Sequence, residues 1–261
     1  MRSIRIGFKT TFAVAALAAL ALPAAAPAAN PKPGTITEFT VPTANSVPFG
    51  ITAGADGNMY FTEVDANKIG KLTLAGKFTE YPIPSPDSNT QGISAGPNPF
   101  STSGNSNGLW FTECAPSKIG RLSYSGQITE FASPGGPTST PCALVSDAQT
   151  NNIWIAQVGS DSLGLFAFGS GSLVPSDFAV PKAGSAPYQI ALAPGSTPQQ
   201  AQVWFTEVKG DRVGSITSST NPQINGKMTE FDLPNPGSGA SGIAVSDNQV
   251  WFERPSVTGS A

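Results

Sequence analysis

Four glutamates close copies of one short motif. Glu63 ends Tyr60-Phe61-Thr62-Glu63, Glu113 ends Trp110-Phe111-Thr112-Glu113, Glu207 ends Trp204-Phe205-Thr206-Glu207, and Glu253 ends the shorter Trp251-Phe252-Glu253. A fifth copy, Trp154-Ile155-Ala156-Gln157, puts Gln157 in the same slot. Carboxylates at a repeated position can do two kinds of chemistry. Gathered round one opening, they offer oxygen ligands to a hard cation such as magnesium, or accept protons as general bases. Held apart, they are neutralised by local bases. At ~8 Å and an effective dielectric of about 20, neighbouring carboxylates repel by roughly 2 kcal/mol, so something must offset them. Lys68 and Lys118 lie five residues past Glu63 and Glu113, and Arg212 lies five past Glu207. Two readings are open. Either the bases pair with these glutamates, or Glu63, Glu113, Glu207 and Glu253 are candidate metal ligands.

Other chemistry is excluded by what the chain lacks. Its 261 residues include no histidine, so no Ser-His-Asp triad and no imidazole base exists. Gly135-Gly136 and Gly169-Ser170-Gly171 precede no helical pattern and read as turns rather than phosphate loops. Net charge is −3 with no basic cluster, which argues against nucleic acid or an anionic membrane as partner.

The elements that must position these residues are repeated as well. The lead aromatics Tyr60, Trp110, Trp154, Trp204 and Trp251 are spaced by 50, 44, 50 and 47 residues. Their strict position argues for core between units rather than ligand stacking. An opening segment precedes the motif, as in Phe49-Gly50-Ile51, Gln91-Gly92-Ile93 and Ser241-Gly242-Ile243. A third segment comes after it, as in Asn67-Lys68-Ile69-Gly70 and Ser117-Lys118-Ile119-Gly120, and a closing one is Ile128-Thr129-Glu130-Phe131 or Met228-Thr229-Glu230-Phe231. Four short strand-like segments per unit, with no helical period, predict an all-β fold, a β-propeller of four-stranded blades. A two-sheet sandwich is the alternative. Five openings imply five blades. The last unit stops before its closing strand, and Ile36-Thr37-Glu38-Phe39 is an orphan closing segment. The expectation is a ring closed by this N-terminal strand, which removes an exposed edge. A truncated piece of a larger ring is the other reading.

The chain opens with Arg2, Arg5 and Lys9, an apolar run from Phe12 to Leu22, and the small-residue site Ala26-Pro27-Ala28. This predicts a signal peptide over 1–28, a single propeller domain over 29–261, and a secreted or periplasmic protein. The apolar run is too short for a membrane span. A monomer is expected.

In a propeller the starts of the first strands and the ends of the second share one face. The candidate binding set at the channel mouth is therefore Phe49, Gln91, Tyr188 and Ser241 with Glu63, Glu113, Gln157, Glu207 and Glu253, facing a small molecule or peptide. Cys142 occupies the third blade's opening position, and Cys114 is the residue after Glu113. Both fall on that face in adjacent blades, so an exported protein is expected to join them in a disulfide. Two free thiols are the alternative.

The combination of P-x-G-I (Pro48 to Ile51), W-F-T-E, N-K-I-G-R and I-T-E-F resembles the virginiamycin B lyase, or streptogramin lyase, family across nearly all of 29–261. The resemblance implies a seven-bladed ring that opens a cyclic depsipeptide antibiotic by elimination at its ester, assisted by magnesium. It also implies a histidine base at the x of P-x-G-I and a glutamate 14 residues later. The x residues here are Phe49, Gln91, Cys142, Tyr188 and Ser241, and Glu63 lies 14 residues after Phe49. The glutamate is kept and the base is absent. The expected function is a binding or scaffold propeller with the lyase chemistry lost. The alternatives are a magnesium-dependent carbon–oxygen lyase with a carboxylate base, or another enzyme at the channel mouth.

Overall fold

The computed structural model describes residues 3–6, 34, 36–98, 107–169, 172–197, 200–220, 225–234, 237, 239–246 and 249–254. The apolar run and cleavage site of the expected signal peptide lie outside these. The chain divides into two units, Met1–Asn45 and Ser46–Ala261.

In the first unit β1 (Ser3–Ile6) pairs antiparallel with β2 (Thr37–Thr40), with Ile6 opposite Thr37. The segment expected to close the last blade thus has its backbone groups engaged by β1. A lone strand must find a partner for its N–H and C=O groups, and Ser3–Ile6 supplies one.

The second unit consists of antiparallel meanders. Blade one holds β3 (Pro48–Ala53), β4 (Met59–Glu63), β5 (Lys68–Leu72) and β6 (Phe78–Pro82). Blade two holds β7 (Ile93–Gly96), β8 (Gly108–Glu113), β9 (Lys118–Ser123) and β10 (Ile128–Ala132). Blade three holds β11 (Pro141–Asp147), β12 (Asn152–Gln157), β13 (Ser162–Gly169) and β14 (Ser172–Ala179). Blade four holds β15 (Pro187–Thr197), β16 (Gln200–Glu207), β17 (Arg212–Ser219) and β18 (Met228–Asp232). Among the described residues the last sheet has two strands, β19 (Ile243–Ser246) and β20 (Gln249–Phe252). No helix occurs among the described residues. The four-strand repeat read from the sequence is the observed one, and the architecture is that of a β-propeller.

First strands pack on first strands, β3 on β7, β7 on β11, β11 on β15 and β15 on β19. They form the inner wall. Second strands are covered on both faces, so every residue of β8 and β12 is buried. Fourth strands mix exposed and half-buried positions, as expected of an outer strand.

The core lies between blades. Tyr60 packs with Leu109 and Leu122 of blade two. Trp110 packs with Ile153 and Phe166 of blade three. Trp154 packs with Val203 and Ile216 of blade four. The lead aromatics thus take the core role expected for them, with two exceptions. Trp204 is half-buried and stacks on Phe231 at 5.5 Å, and Trp251 is 61% exposed. Both precede a position where the described sheet is short or absent, so nothing among the described residues caps them as Trp110 is capped.

One glycine explains the pairing of two motifs. Phe61 faces Gly70, Phe111 faces Gly120 and Phe205 faces Gly214 across the second and third strands. A Cβ on Gly120 would stand 2.1 Å from Phe111 Cζ. The ring therefore occupies the space a side chain would take.

Candidate site at the first-strand starts

The residue before each third strand adopts a left-handed backbone: Asn67, Ser117, Asp161 and Asp211. Its side chain holds the segment that leads into a first strand. Asn67 Nδ2 donates to the carbonyls of Ile83 and Ser85, and its Oδ1 accepts from the Ser88 N–H. Asp161 accepts from the Ala186 N–H at 2.7 Å and also from the Gly184 N–H. Asn, Asp and Ser suit this role because they tolerate the left-handed region and offer short polar arms.

The x residues Phe49, Cys142 and Tyr188 then sit where the ladder is interrupted. The register shifts between Pro48 and Ile51, between Pro141 and Ala143, and between Pro187 and Ile190. Such bulges re-aim a side chain. Opposite each of these prolines stands the last residue of the second strand: Glu63, Gln157 and Glu207.

The threonine of W-F-T-E bolts one blade to the next, a role sequence reasoning missed. Thr62 Oγ1 accepts from the Gly50 N–H at 2.9 Å and donates to the Gln91 carbonyl at 3.2 Å. Thr112 does the same with Gly92 and Cys142, and Thr206 with Gln189 and Ser241. Blade three has Ala156 at this position. The repeated threonine was the available signal.

The x residues of blades two, three and four come together. The Tyr188 hydroxyl donates to Gln91 Oε1 at 3.4 Å. Cys142 is buried, and burial, with added pushes from the nearby Cys142 and Cys114, raises the Tyr188 phenol above its ordinary value. Phe49 is 53% exposed. Ser241 stays in its own blade, where its hydroxyl reaches Glu253 Oε2 at 3.4 Å.

The expected disulfide is not formed. Cys114 and Cys142 are both buried free thiols. The Cys142 thiol donates to the Thr140 carbonyl at 3.5 Å and stays in contact with the Cys114 thiol without a covalent bond. Contact with Cys142, then burial, pushes the Cys114 thiol up, and contact with Cys114 holds the Cys142 thiol below its ordinary value.

The second-strand glutamates sit inside their blades. Glu63, Glu113 and Glu207 are wholly buried, whereas Glu253 is exposed. Glu63 lies beside Glu80 and Lys68, Glu113 beside Glu130 and Lys118, and Glu207 beside Glu230 and Arg212. Burial first, and the neighbouring glutamate as the main added push, raise all three to about 7. Among the described residues the ion pairs of these bases run to fourth-strand acids, where the five-residue spacing had suggested Glu63, Glu113 and Glu207. Lys68 bonds Glu80 at 2.8 Å, Lys118 bonds Glu130 at 2.8 Å, and Arg212 bonds Asp232 at 2.6 Å and Glu230 at 3.7 Å. Long basic side chains reach outward to the half-exposed fourth strand and keep their hydration there.

The donor set does not fit a shared magnesium. Glu63, Glu113 and Glu207 are each enclosed by their own blade with a base already beside the neighbouring acid, and Glu253 is exposed. Among the described residues no three His, Cys, Asp or Glu side chains are grouped to hold a metal ion.

The model of the Virginiamycin B lyase family matches residues 30–253. A virginiamycin B lyase from Bacillus licheniformis is 49% identical over 41 residues, 16% of this chain and 14% of that one. One from Staphylococcus aureus is 37% identical over 51 residues, 20% of this chain and 17% of that one. The aligned segments therefore span less than a fifth of these curated relatives. Among solved structures, a catalytically inactive histidine-to-alanine variant of Staphylococcus aureus virginiamycin B lyase with quinupristin superposes with a TM-score of 0.70. It is 30% identical, over 85% of this chain and 67% of that chain. A streptogramin B lyase structure gives 0.69 at 32% identity, over 84% and 66% of the two chains.

Proposed function

Because this chain belongs to the virginiamycin B lyase family, we propose that it uses the family's propeller to bind a small molecule or peptide and lacks the elimination chemistry. One observation carries the reading. Replacing a histidine leaves the Staphylococcus aureus relative catalytically inactive, and this chain has no histidine at all. Proton abstraction next to a carbonyl needs a positioned base of suitable pKa. The glutamates are poor substitutes, because Glu63, Glu113 and Glu207 are sealed within their blades.

The contact surface in this reading is the convergence of Gln91 and Tyr188, with exposed Phe49 on the first strand of blade one. An aromatic, an amide and a phenol suit a neutral ligand with ring surface and carbonyl groups. The reading also includes export through residues 1–28 and a monomeric ring of five blades. Removal of residues 1–28 would take away β1, the partner of Thr37–Thr40, and leave that strand's edge available to the last blade.

The test is equilibrium dialysis of the 29–261 protein against quinupristin. Retention that falls at least about tenfold in Tyr188→Ala, with the recovered compound intact, supports the reading; a tenfold loss corresponds to ~1.4 kcal/mol. Retention unchanged in Tyr188→Ala and Gln91→Ala would remove the assigned surface.

A further inference from the structure

Each complete blade places an acid on its fourth strand at the same position. This acid stands opposite the third-strand glycine in all four: Glu80 opposite Gly70, Glu130 opposite Gly120, Asp177 opposite Gly164 and Glu230 opposite Gly214. The bare glycine opens a path across the third strand. A Cβ on Gly120 would meet Glu113 Oε1 at 2.8 Å, and one on Gly164 would meet the Gln157 amide at 2.9 Å. The second-strand side chain reaches over that gap toward the fourth-strand acid.

Blade three shows what bond the gap accommodates. Gln157 Nε2 donates to Asp177 Oδ1 at 2.7 Å and to Ser162 Oγ at 2.9 Å. Gln157 Oε1 accepts from Ser133 Oγ at 2.6 Å and the Gly135 N–H at 2.8 Å. One terminal atom donates and the other accepts. A carboxylic acid has that same pattern, and a carboxylate does not.

The other three blades hold glutamate there, with fewer donors than Gln157 Oε1 receives. Both carboxyl oxygens of Glu63 and of Glu207, and Oε1 of Glu113, are buried without a hydrogen bond of good geometry, although the Ser46 hydroxyl lies within reach of Glu63 and the Ser185 hydroxyl within reach of Glu207. Glu113 Oε2 accepts from Ser88 Oγ at 3.2 Å. Glu207 lies within hydrogen-bond reach of Glu230. The charged groups facing each site are few. Glu63 meets Glu80 from β6 and Lys68 from β5, with the Ser46 hydroxyl beside it. Glu113 meets Glu130 from β10 and Lys118 from β9. Glu207 meets Glu230 from β18 and Arg212 from β17, with Ser185 beside it and Asp232 on the far side of the arginine. The first two sites thus hold two carboxylates against one cation, and a single proton balances them. In blade three Gln157 and Ser162 take the positions of the second-strand glutamate and the cation.

We infer that Glu63, Glu113 and Glu207 are neutral carboxylic acids in the folded protein, Glu207 donating its proton to Glu230, so that a proton rather than a metal ion balances each site. The bond from Gln157 to Asp177 is the permanent version of that link. The raised titration of the three glutamates, to about 7, agrees with it. The inference stands whether or not the channel mouth binds a ligand.

The sign of the consequence is set by linkage. Folded, these acids keep protons that the unfolded chain releases near its ordinary glutamate range. Their contribution is complete below the ordinary glutamate value of 4.5, is lost as pH rises from there to about 7, and does not change further above it. Thermal unfolding of the whole protein from about pH 5 to about pH 7.5, with and without magnesium, tests this. The expected result is a Tm that falls across that window, does not respond to magnesium, and flattens in Glu63→Gln/Glu113→Gln/Glu207→Gln. If the triple variant does not fold, Glu113→Gln alone should remove part of the slope, and Gln157→Glu should steepen it. The infrared carbonyl band of protonated carboxyl groups should be present near neutral pH and weaken with each glutamine introduced. A flat Tm in the parent protein, an unchanged slope in the glutamine variants, or a magnesium-induced rise in Tm that Glu113→Gln abolishes would overturn the inference.

Discussion

The Thr62 hydroxyl donates to the Gln91 carbonyl at 3.2 Å, fixing the second strand of blade one to the start of blade two. The same oxygen accepts from the Gly50 N–H, so one side chain satisfies backbone groups of two blades. The repeated threonine places the x residues Gln91, Cys142 and Ser241 in this way. It makes the blade interface and the candidate site parts of one structure.

Thr112→Val keeps the shape of the buried Thr112 and deletes its bonds to Gly92 and Cys142. Two backbone groups near the inner wall lose a partner. The expected cost is about 1–3 kcal/mol, read from the urea midpoint at constant m-value. Thr62→Val and Thr206→Val should behave alike. A change within about 0.5 kcal/mol would make the threonine bolt structurally idle.

Gly120→Ala drives a methyl into Phe111, since the added Cβ would lie 2.1 Å from Cζ. Overpacking of this kind costs about 1–3 kcal/mol. The double variant with Phe111→Leu should recover part of that loss, giving a coupling free energy in a double-mutant cycle. Strict additivity would show that the ring and the glycine are not in conflict.

Cys114 and Cys142 are free. Denatured protein, never exposed to reductant, should therefore titrate two thiols with a chromogenic disulfide reagent. Folded protein should react slowly, because both cysteines are buried. No reactive thiol after denaturation, with a mass gain of two hydrogens on reduction, would restore the bridge.

The blade pattern was legible because its causes are local. Tyr60, Trp110 and Trp154 recur at one position, and each is buried against the next blade. Trp251 recurs too, but its exposure depends on which strands pack against it, and its own motif does not encode them. The partners of the bases were misread for a related reason. Spacing places Lys68 opposite Glu63 across a hairpin, yet its ion pair is to Glu80, which arrives with the fourth strand. The threonine bolts stayed hidden because their acceptors are carbonyls, and any residue supplies one. The two cysteines were correctly brought to one region, but neighbourhood is a weaker condition than disulfide geometry.

The central claim is that the family's propeller is present without its elimination chemistry. Its most direct test is the rate of ester opening when the 29–261 protein is incubated with quinupristin, with magnesium and with a chelator, and monitored by separation of cyclic and linear forms. The account predicts that the cyclic compound persists at the rate of the enzyme-free control under both conditions. Magnesium-dependent accumulation of the linear product, lost in Glu63→Gln, would contradict it.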